Sequence, residues 1–302
     1  MPVTQSAFIF PAFSRDYRDH PGAALPFFEQ QFNLLMVAAS KMSGSPFEGF
    51  LYAAMKAPED ELATQYLTYI YSCAASLTLR TYHFKPDFNA GYSMGIYAAL
   101  FDSGVFTFET GLELIRLAFE IVSGKLKERQ FGMATVIGLD RKDIEQLIHQ
   151  RKLEVEIANR NAPHSFVVSG RGDHLTSFME DARDEGALHV RDLGVSIPYH
   201  SGLLTDAARE FATRTRHLNF SVAETPLLSL VDQEILTSEA SLRNEVSRNL
   251  FRSLDWLATQ RKLIALNTGL LVECGPSKGL VKNAKFIDGN YRFASLDNLG
   301  IT

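Results

Sequence analysis

The 302-residue chain is 46% hydrophobic and 22% charged, enough apolar material for one large core or for a large and a small one. Its formal net charge of -5 leaves no basic footprint for nucleic acid or an anionic membrane surface, while small anionic substrates stay open. The two cysteines, Cys73 and Cys274, lie in apolar surroundings, which argues against a disulfide framework or a cysteine zinc site and fits a reducing compartment.

The first residues lack the basic region and apolar run of a signal peptide, and no stretch approaches the ~18 apolar residues of a membrane span. The expectation is a cytoplasmic protein with no membrane partner. Ala7-Phe8-Ile9-Phe10, stopped by Pro11, reads as a strand buried on both faces of a parallel sheet. Residues 27–82 carry helical periodicity, with a helix start at Pro58-Glu59-Asp60-Glu61 and a long apolar helix over 65–79. Asn89-Ala90-Gly91-Tyr92-Ser93-Met94-Gly95 then runs through Gly-x-Ser-x-Gly into the helix former Ile96-Tyr97-Ala98. That is the pattern of a nucleophile elbow, in which a serine on a tight strand-to-helix turn exposes its hydroxyl beside a helix N-terminus. Gly91 and Gly95 would leave room where backbones pass closely. A plain Gly/Ser-rich turn has the same five letters, so the neighbouring segments must decide.

Another helix is predicted over 107–125, and the rhythm then changes. Strands at 133–137, 153–158, 165–169 and 187–193 alternate with helices at 140–150 and 173–184, giving the order β-α-β-β-α-β of a ferredoxin-like unit inserted in a larger domain. Asp140 and Asp173 stand where those helices would be capped, and Gly186 where the second would stop. Pro198 forbids a continuing ladder, which places His200 on a loop or a helix start. A helix to about residue 214, a buried strand over 225–231, helices over 240–266, a strand over 269–273 and a turn into a last helix complete the chain. The fold class expected is α/β: a large α/β-hydrolase-like domain (1–129 and 198–302) with a mainly parallel sheet, and a ferredoxin-like small subdomain (130–197). The sequence shows no metal-ligand cluster, phosphate-cradling loop or nucleotide fingerprint, so no cofactor is expected.

Taken in order, the pieces resemble the acyl-carrier-protein acyltransferase family, which includes malonyl-CoA:ACP transacylases and the acyltransferase domains of polyketide synthases. The matching residues are Phe8-Ile9-Phe10-Pro11, Gln65, the elbow, Gly104-Val105, Met133-Ala134, Asn161-Ala162-Pro163, Phe166 to Gly170, Val195 to Ser201, and Val272 to Pro276. The resemblance implies Ser93 as the nucleophile that takes an acyl group from a thioester and His200 as its general base. It implies the backbone N–H groups of Met94 and Phe13 as the oxyanion hole. The imidazole would be oriented by a backbone carbonyl near the C-terminus, a position that matches Asp255. Gln65, Tyr92, Ala118 and Asn161 match substrate-binding positions. The partners implied are an acyl-CoA or acyl-ACP donor and the phosphopantetheine thiol of an acyl carrier protein, with the enzyme a monomer.

The departures carry information too. The family's Gly-Gln-Gly-Ser-Gln loop is here Ala12-Phe13-Ser14-Arg15-Asp16, the elbow histidine is Tyr92, and the following glutamate is Ile96. Malonyl-transferring members grip the substrate carboxylate with an arginine where this chain has Ala118. Arg116 lies two residues away, about 200° around the helix, and faces the other side. The resulting expectation is transfer of a non-malonyl acyl group in fatty acid or polyketide biosynthesis. The alternatives are an editing acyl-ACP hydrolase of the same fold, a patatin-like lipase or an inactive scaffold. The lipase requires a glycine-rich first loop that is missing here, and the scaffold does not explain why both Ser93 and His200 are present.

Overall fold

The computed structural model describes residues 5–12, 25, 27–43, 61–126, 130–276 and 278–299. The predicted helix start at residues 58–60 and the oxyanion position Phe13 lie outside the described residues. Strand β1 (Gln5–Phe10) runs through the middle of a six-stranded sheet and sends alternate side chains to opposite faces. Phe8 and Phe10 pack with Tyr69, Ile70 and Leu100 on one side, while Ala7 and Ile9 pack with Phe88, Trp256 and Leu271 on the other. All four are fully buried, which is why the run is apolar without alternation.

β1 pairs in parallel with β2 (Phe88–Gly91) and with β10 (Thr268–Glu273), which in turn pairs in parallel with β11 (Arg292–Ser295). Beyond β2 lie β7 (Leu227–Leu228), also parallel, and β8 (Ile235–Leu236), antiparallel at the edge. The first face is covered by α1 (Phe28–Ser43), α2 (Glu61–Thr81), α3 (Gly95–Asp102) and α4 (Phe108–Lys125). Thr107 caps α4 by accepting from the Thr110 amide.

The second sheet is built from β3 (Phe131–Ile137), β4 (Val155–Ala162), β5 (Ser165–Arg171) and β6 (His189–Asp192), in the spatial order β6-β3-β5-β4, with every pair antiparallel. Helices α5 (Arg141–Arg151) and α6 (Gly172–Asp184) intervene, so the predicted β-α-β-β-α-β order is the observed one. Asp140 caps α5 through a capping box with Asp143, as expected. Asp173 instead lies inside the first turn of α6, where its carboxylate holds Arg171 and accepts from the His174 amide. The chain then forms α7 (Thr205–Arg214), α8 (Glu239–Phe251), α9 (Trp256–Ala265) and α10 (Gly279–Ala284). A strand of two residues, β9 (Leu254–Asp255), leaves the larger region and pairs in parallel with β4, tying the two sheets together.

The predicted strand over 225–231 is reduced to Leu227–Leu228 because this segment turns back sharply. Ser229 Oγ accepts from the amides of Val231 and Asp232, which ends the ladder. The elbow itself depends on two close approaches. A Cβ on Gly91 would come 2.3 Å from the Ile96 Cα, and one on Gly95 would come 2.1 Å from the Phe10 carbonyl oxygen. In both positions the obstacle is backbone, which cannot step aside. Gly95→Ala should therefore lower stability by about 1–3 kcal/mol, as overpacking does. Gly124→Ala, at an exposed helical site with nothing within 4 Å of the added methyl, should raise it by about 0.5–1 kcal/mol. Urea unfolding of the two variants beside the wild type measures both.

Candidate active site

The site forms where the carboxyl end of β2 meets the far end of α8. Ser93 sits between β2 and α3 with φ of 56°, a left-handed conformation that a non-glycine residue adopts only under constraint. The constraint comes from both neighbours: the Tyr92 amide donates to the Phe10 carbonyl at 2.8 Å, and the Gly95 amide to the Tyr92 carbonyl at 3.0 Å. The Met94 amide, at the start of α3, has no hydrogen-bond partner among the described residues and is free to meet a developing oxyanion. Ser93 Oγ lies 2.7 Å from His200 Nε2, although 107 residues separate the two in sequence.

His200 is itself in the left-handed region at φ 62° and is 3% exposed. Helix α8 holds it in place. The last carbonyls of a helix have no intrahelical partner, and two of them are taken by this one residue. The Asn249 carbonyl accepts from His200 Nδ1 at 2.6 Å, and the Leu250 carbonyl accepts from the His200 amide at 2.9 Å. With its proton fixed on Nδ1, the ring presents the Nε2 lone pair to the serine hydroxyl. Burial pushes the imidazole pKa from 6.5 down to about 4, opposed by the bond to Asn249. The ring is therefore neutral, and able to accept a proton, throughout the physiological range.

The orienting carbonyl thus belongs to Asn249, and the expectation that Asp255 supplies it is corrected. Asp255 lies in β9 and caps α9, its Oδ1 accepting from the Ala258 amide at 2.8 Å while its other oxygen approaches Arg160. Asn249 carries no signal in its side chain, because the working atom is a main-chain oxygen that any residue would provide. Its place at the end of α8 is seen only in the structure, because the sequence reading runs helices over 240–266 with no end marked near it.

Ser93, His200 and Asn249 share a cavity of about 20 Å³ with Gln65, Met94, Tyr97, Ala118, Tyr199 and Leu250. Gln65 and Ala118, which the resemblance matches to substrate-binding positions, thus line the cavity with Ser93. Tyr92 and Asn161, matched in the same way, do not line it. The Tyr92 ring turns to the other side of the sheet, edge-on to Trp256, where its hydroxyl donates to Asn161 Oδ1 at 2.7 Å and accepts from Asn159 Nδ2 at 2.6 Å. Successive residues leaving a strand point to opposite faces, so a neighbour of Ser93 is carried away from the Ser93 cavity. Arg116 also points outward, held by Glu113 and Glu120. A larger cavity of about 280 Å³, lined by Phe211, Phe220 and Arg243 among others, shares no residue with this one. Burial pushes the thiols of Cys73 and Cys274 well up, so neither is a competing nucleophile. Among the described residues there is no grouping of His, Cys, Asp and Glu that could hold a metal ion, and no helix is long and apolar enough to cross a membrane.

The pKa shift makes a prediction. Acylation should keep its full kcat/KM well below pH 6.5 and fall only toward an apparent pKa near 4. The unfolded chain takes up the His200 proton at 6.5 and the folded chain at about 4, so between these values the unfolded state binds more protons and stability rises with pH. On acidification through that window, the wild type should lose urea stability relative to His200→Gln.

No protein-family model matches the chain. It is 30% identical over 203 residues to a malonyl CoA-acyl carrier protein transacylase of Bacillus subtilis, a match that covers 65% of this chain and 64% of that protein. It is 26% identical over 256 residues to the enzyme of the same name from Haemophilus influenzae, with 82% of each covered. Among solved structures it superimposes, with a TM-score of 0.85 and 25% identity, on a malonyl-transacylase described in complex with its type II polyketide synthase acyl-carrier protein, covering 97% of this chain and 95% of that one.

Proposed function

We propose, for a chain that belongs to the acyl-carrier-protein acyltransferase family, that Ser93 carries an acyl group from a CoA or carrier-protein thioester to the phosphopantetheine thiol of an acyl carrier protein. The observation that carries this reading is the 2.7 Å contact between Ser93 Oγ and the Nε2 of a buried, neutral His200. In the first half-reaction Oγ attacks the thioester carbon while Nε2 takes its proton; the C–S bond breaks, and His200 returns the proton to the departing sulfur. In the second half the carrier thiol gives its proton to Nε2 and its sulfur attacks the Ser93 ester. The C–O bond breaks, and Oγ regains a hydrogen from His200. The negative charge on the carbonyl oxygen of each tetrahedral intermediate would face the free Met94 amide, and the Phe13 amide is proposed as the second donor.

The acyl group proposed is short and uncharged. Ala118 stands in the cavity, no cation lines it among the described residues, and the space suits a group about the size of one or two water molecules. A carboxylate there would lose its hydration without a partner, at a cost of roughly 2–5 kcal/mol.

Intact-protein mass after exposure to acetyl, butyryl, hexanoyl and malonyl thioesters tests both statements. The wild type should gain one acyl group, with acetyl ahead of malonyl by about thirtyfold or more, and Ser93→Ala should gain none. An adduct that survives Ser93→Ala would remove the serine from the mechanism, and malonyl ahead of acetyl would remove the uncharged substrate. Release of free acid without an acceptor thiol, at the rate of turnover, would replace transfer by hydrolysis.

A further inference from the structure

Behind the cavity wall stands a polar group that acylation does not use. Glu61, the first residue of α2, is 7% exposed. Its Oε1 accepts from the Tyr199 hydroxyl at 3.0 Å and from Gln65 Nε2 at 3.3 Å, and Gln65 Nε2 also donates to the Tyr199 oxygen at 3.0 Å. The direction of each bond follows from the donors available. An ionised carboxylate can only accept, so Tyr199 gives its one proton to Glu61, and its oxygen must then accept from a nitrogen. Burial, with the Glu61 charge as the second cause, pushes the Tyr199 phenol well above 10 and keeps it a donor. The amide of Gln65, which atomic positions alone leave ambiguous, is thereby oriented: its NH₂ faces Glu61 and Tyr199, and its Oε1 faces away from them.

Gln65 is 4% exposed and lines the cavity with Ser93. Its Oε1 has no hydrogen-bond partner among the described residues. Asn249 lines the same cavity, and its Nδ2 is buried without an acceptor. An unpaired acceptor therefore belongs to a side chain that lines a space of one or two small groups, whereas Asn249 Nδ2 is enclosed by protein and not open to that space, and an acceptor shielded from bulk water is costly to leave unpaired. A hydroxyl answers that acceptor by donating its proton. A methyl cannot, and a carboxylate sets its lone pairs against Oε1. An ammonium would donate, but it would lose its hydration in a cavity lined by no carboxylate among the described residues.

We propose that Glu61 and Tyr199 hold Gln65 as an acceptor for the substrate, and that the acyl group preferred is a short 2-hydroxyacyl, with its hydroxyl on the carbon beside the carbonyl. This rests on the reading that Ser93 is acylated. Glu61 is a positioning residue, with Gln65 the group that touches substrate.

The test is competition between glycolyl, acetyl, glycyl and malonyl thioesters for Ser93, read by intact mass on the wild type, Gln65→Met and Glu61→Gln. The wild type should take glycolyl over acetyl by about tenfold or more, as sites built to hydrogen-bond a hydroxyl discriminate. Gln65→Met should bring that ratio toward one, and Glu61→Gln, which lets the neighbouring amide turn over, should lower it. The ratio is the informative readout, because a loosened fold slows both substrates alike. Acetyl equal to or ahead of glycolyl, glycyl ahead of both, or a ratio unmoved in both variants would overturn the inference while leaving acylation intact. An enzyme that takes none of the four would overturn the acylation reading and this inference with it.

Discussion

The site depends first on how closely two pieces of backbone approach each other. The start of α3 presses on the end of β1 at Gly95 and Phe10, and folds back on its own strand at Gly91 and Ile96. That closeness holds the intervening residue in a positive φ, and in that conformation the Ser93 hydroxyl meets His200 Nε2 at 2.7 Å. The strain is local, but it is maintained by a strand buried on both faces and a helix packed against it, which together over-determine the turn.

The histidine is held by different means. Many serine nucleophiles work with a carboxylate behind the imidazole; here the partner is the carbonyl end of a helix. A helix C-terminus carries a partial negative charge, so it orients the neutral ring and still favours the imidazolium that forms during the reaction. That is weaker support than a full charge, and under the proposed thioester chemistry the leaving group explains why it suffices. A thiolate, with an unperturbed pKa near 8.5, departs far more readily than an amine or an alkoxide, so the base need not be strong. Burial contributes as well, since in the proposed transfer a ring that loses its proton readily would hand it on to sulfur in the same encounter.

Features set by neighbours in sequence were legible before the structure was known. The elbow glycines, the two-faced apolar run of β1, the cap of α5 and the β-α-β-β-α-β order of the second sheet all follow from local pattern. What sequence did not show was set at a distance or by the main chain. Strands of two residues, such as β7, β8 and β9, have no periodicity to detect. The Asn249 carbonyl meets His200 across 49 residues and leaves no mark in side-chain chemistry. Tyr92 was assigned to the substrate site by the match of its position to the family, whereas the alternation at the end of a strand carries its ring to the opposite face, against Trp256.

The helix that bears Ala118 shows how a single helical period separates two roles. Ala118 faces the cavity and is buried, while Arg116 lies on solvent-facing turns with one carboxylate a turn before it and another a turn after. The bonds to Glu113 hold its guanidinium firmly charged, and a swing toward Ser93 would break them, strand two acidic side chains, and bring a cation into a cavity that offers it no carboxylate among the described residues. The nearest arginine in sequence is thus unavailable to the substrate for energetic as well as geometric reasons. Among the described residues the cavity is lined by neutral groups: Gln65, Asn249, Ser93, the Tyr97 and Tyr199 phenols, the neutral His200 ring and apolar side chains. In the proposed acylation such a lining would distinguish acyl groups by size and by hydrogen-bond complementarity, and among the described residues it holds no cation to meet a second charge.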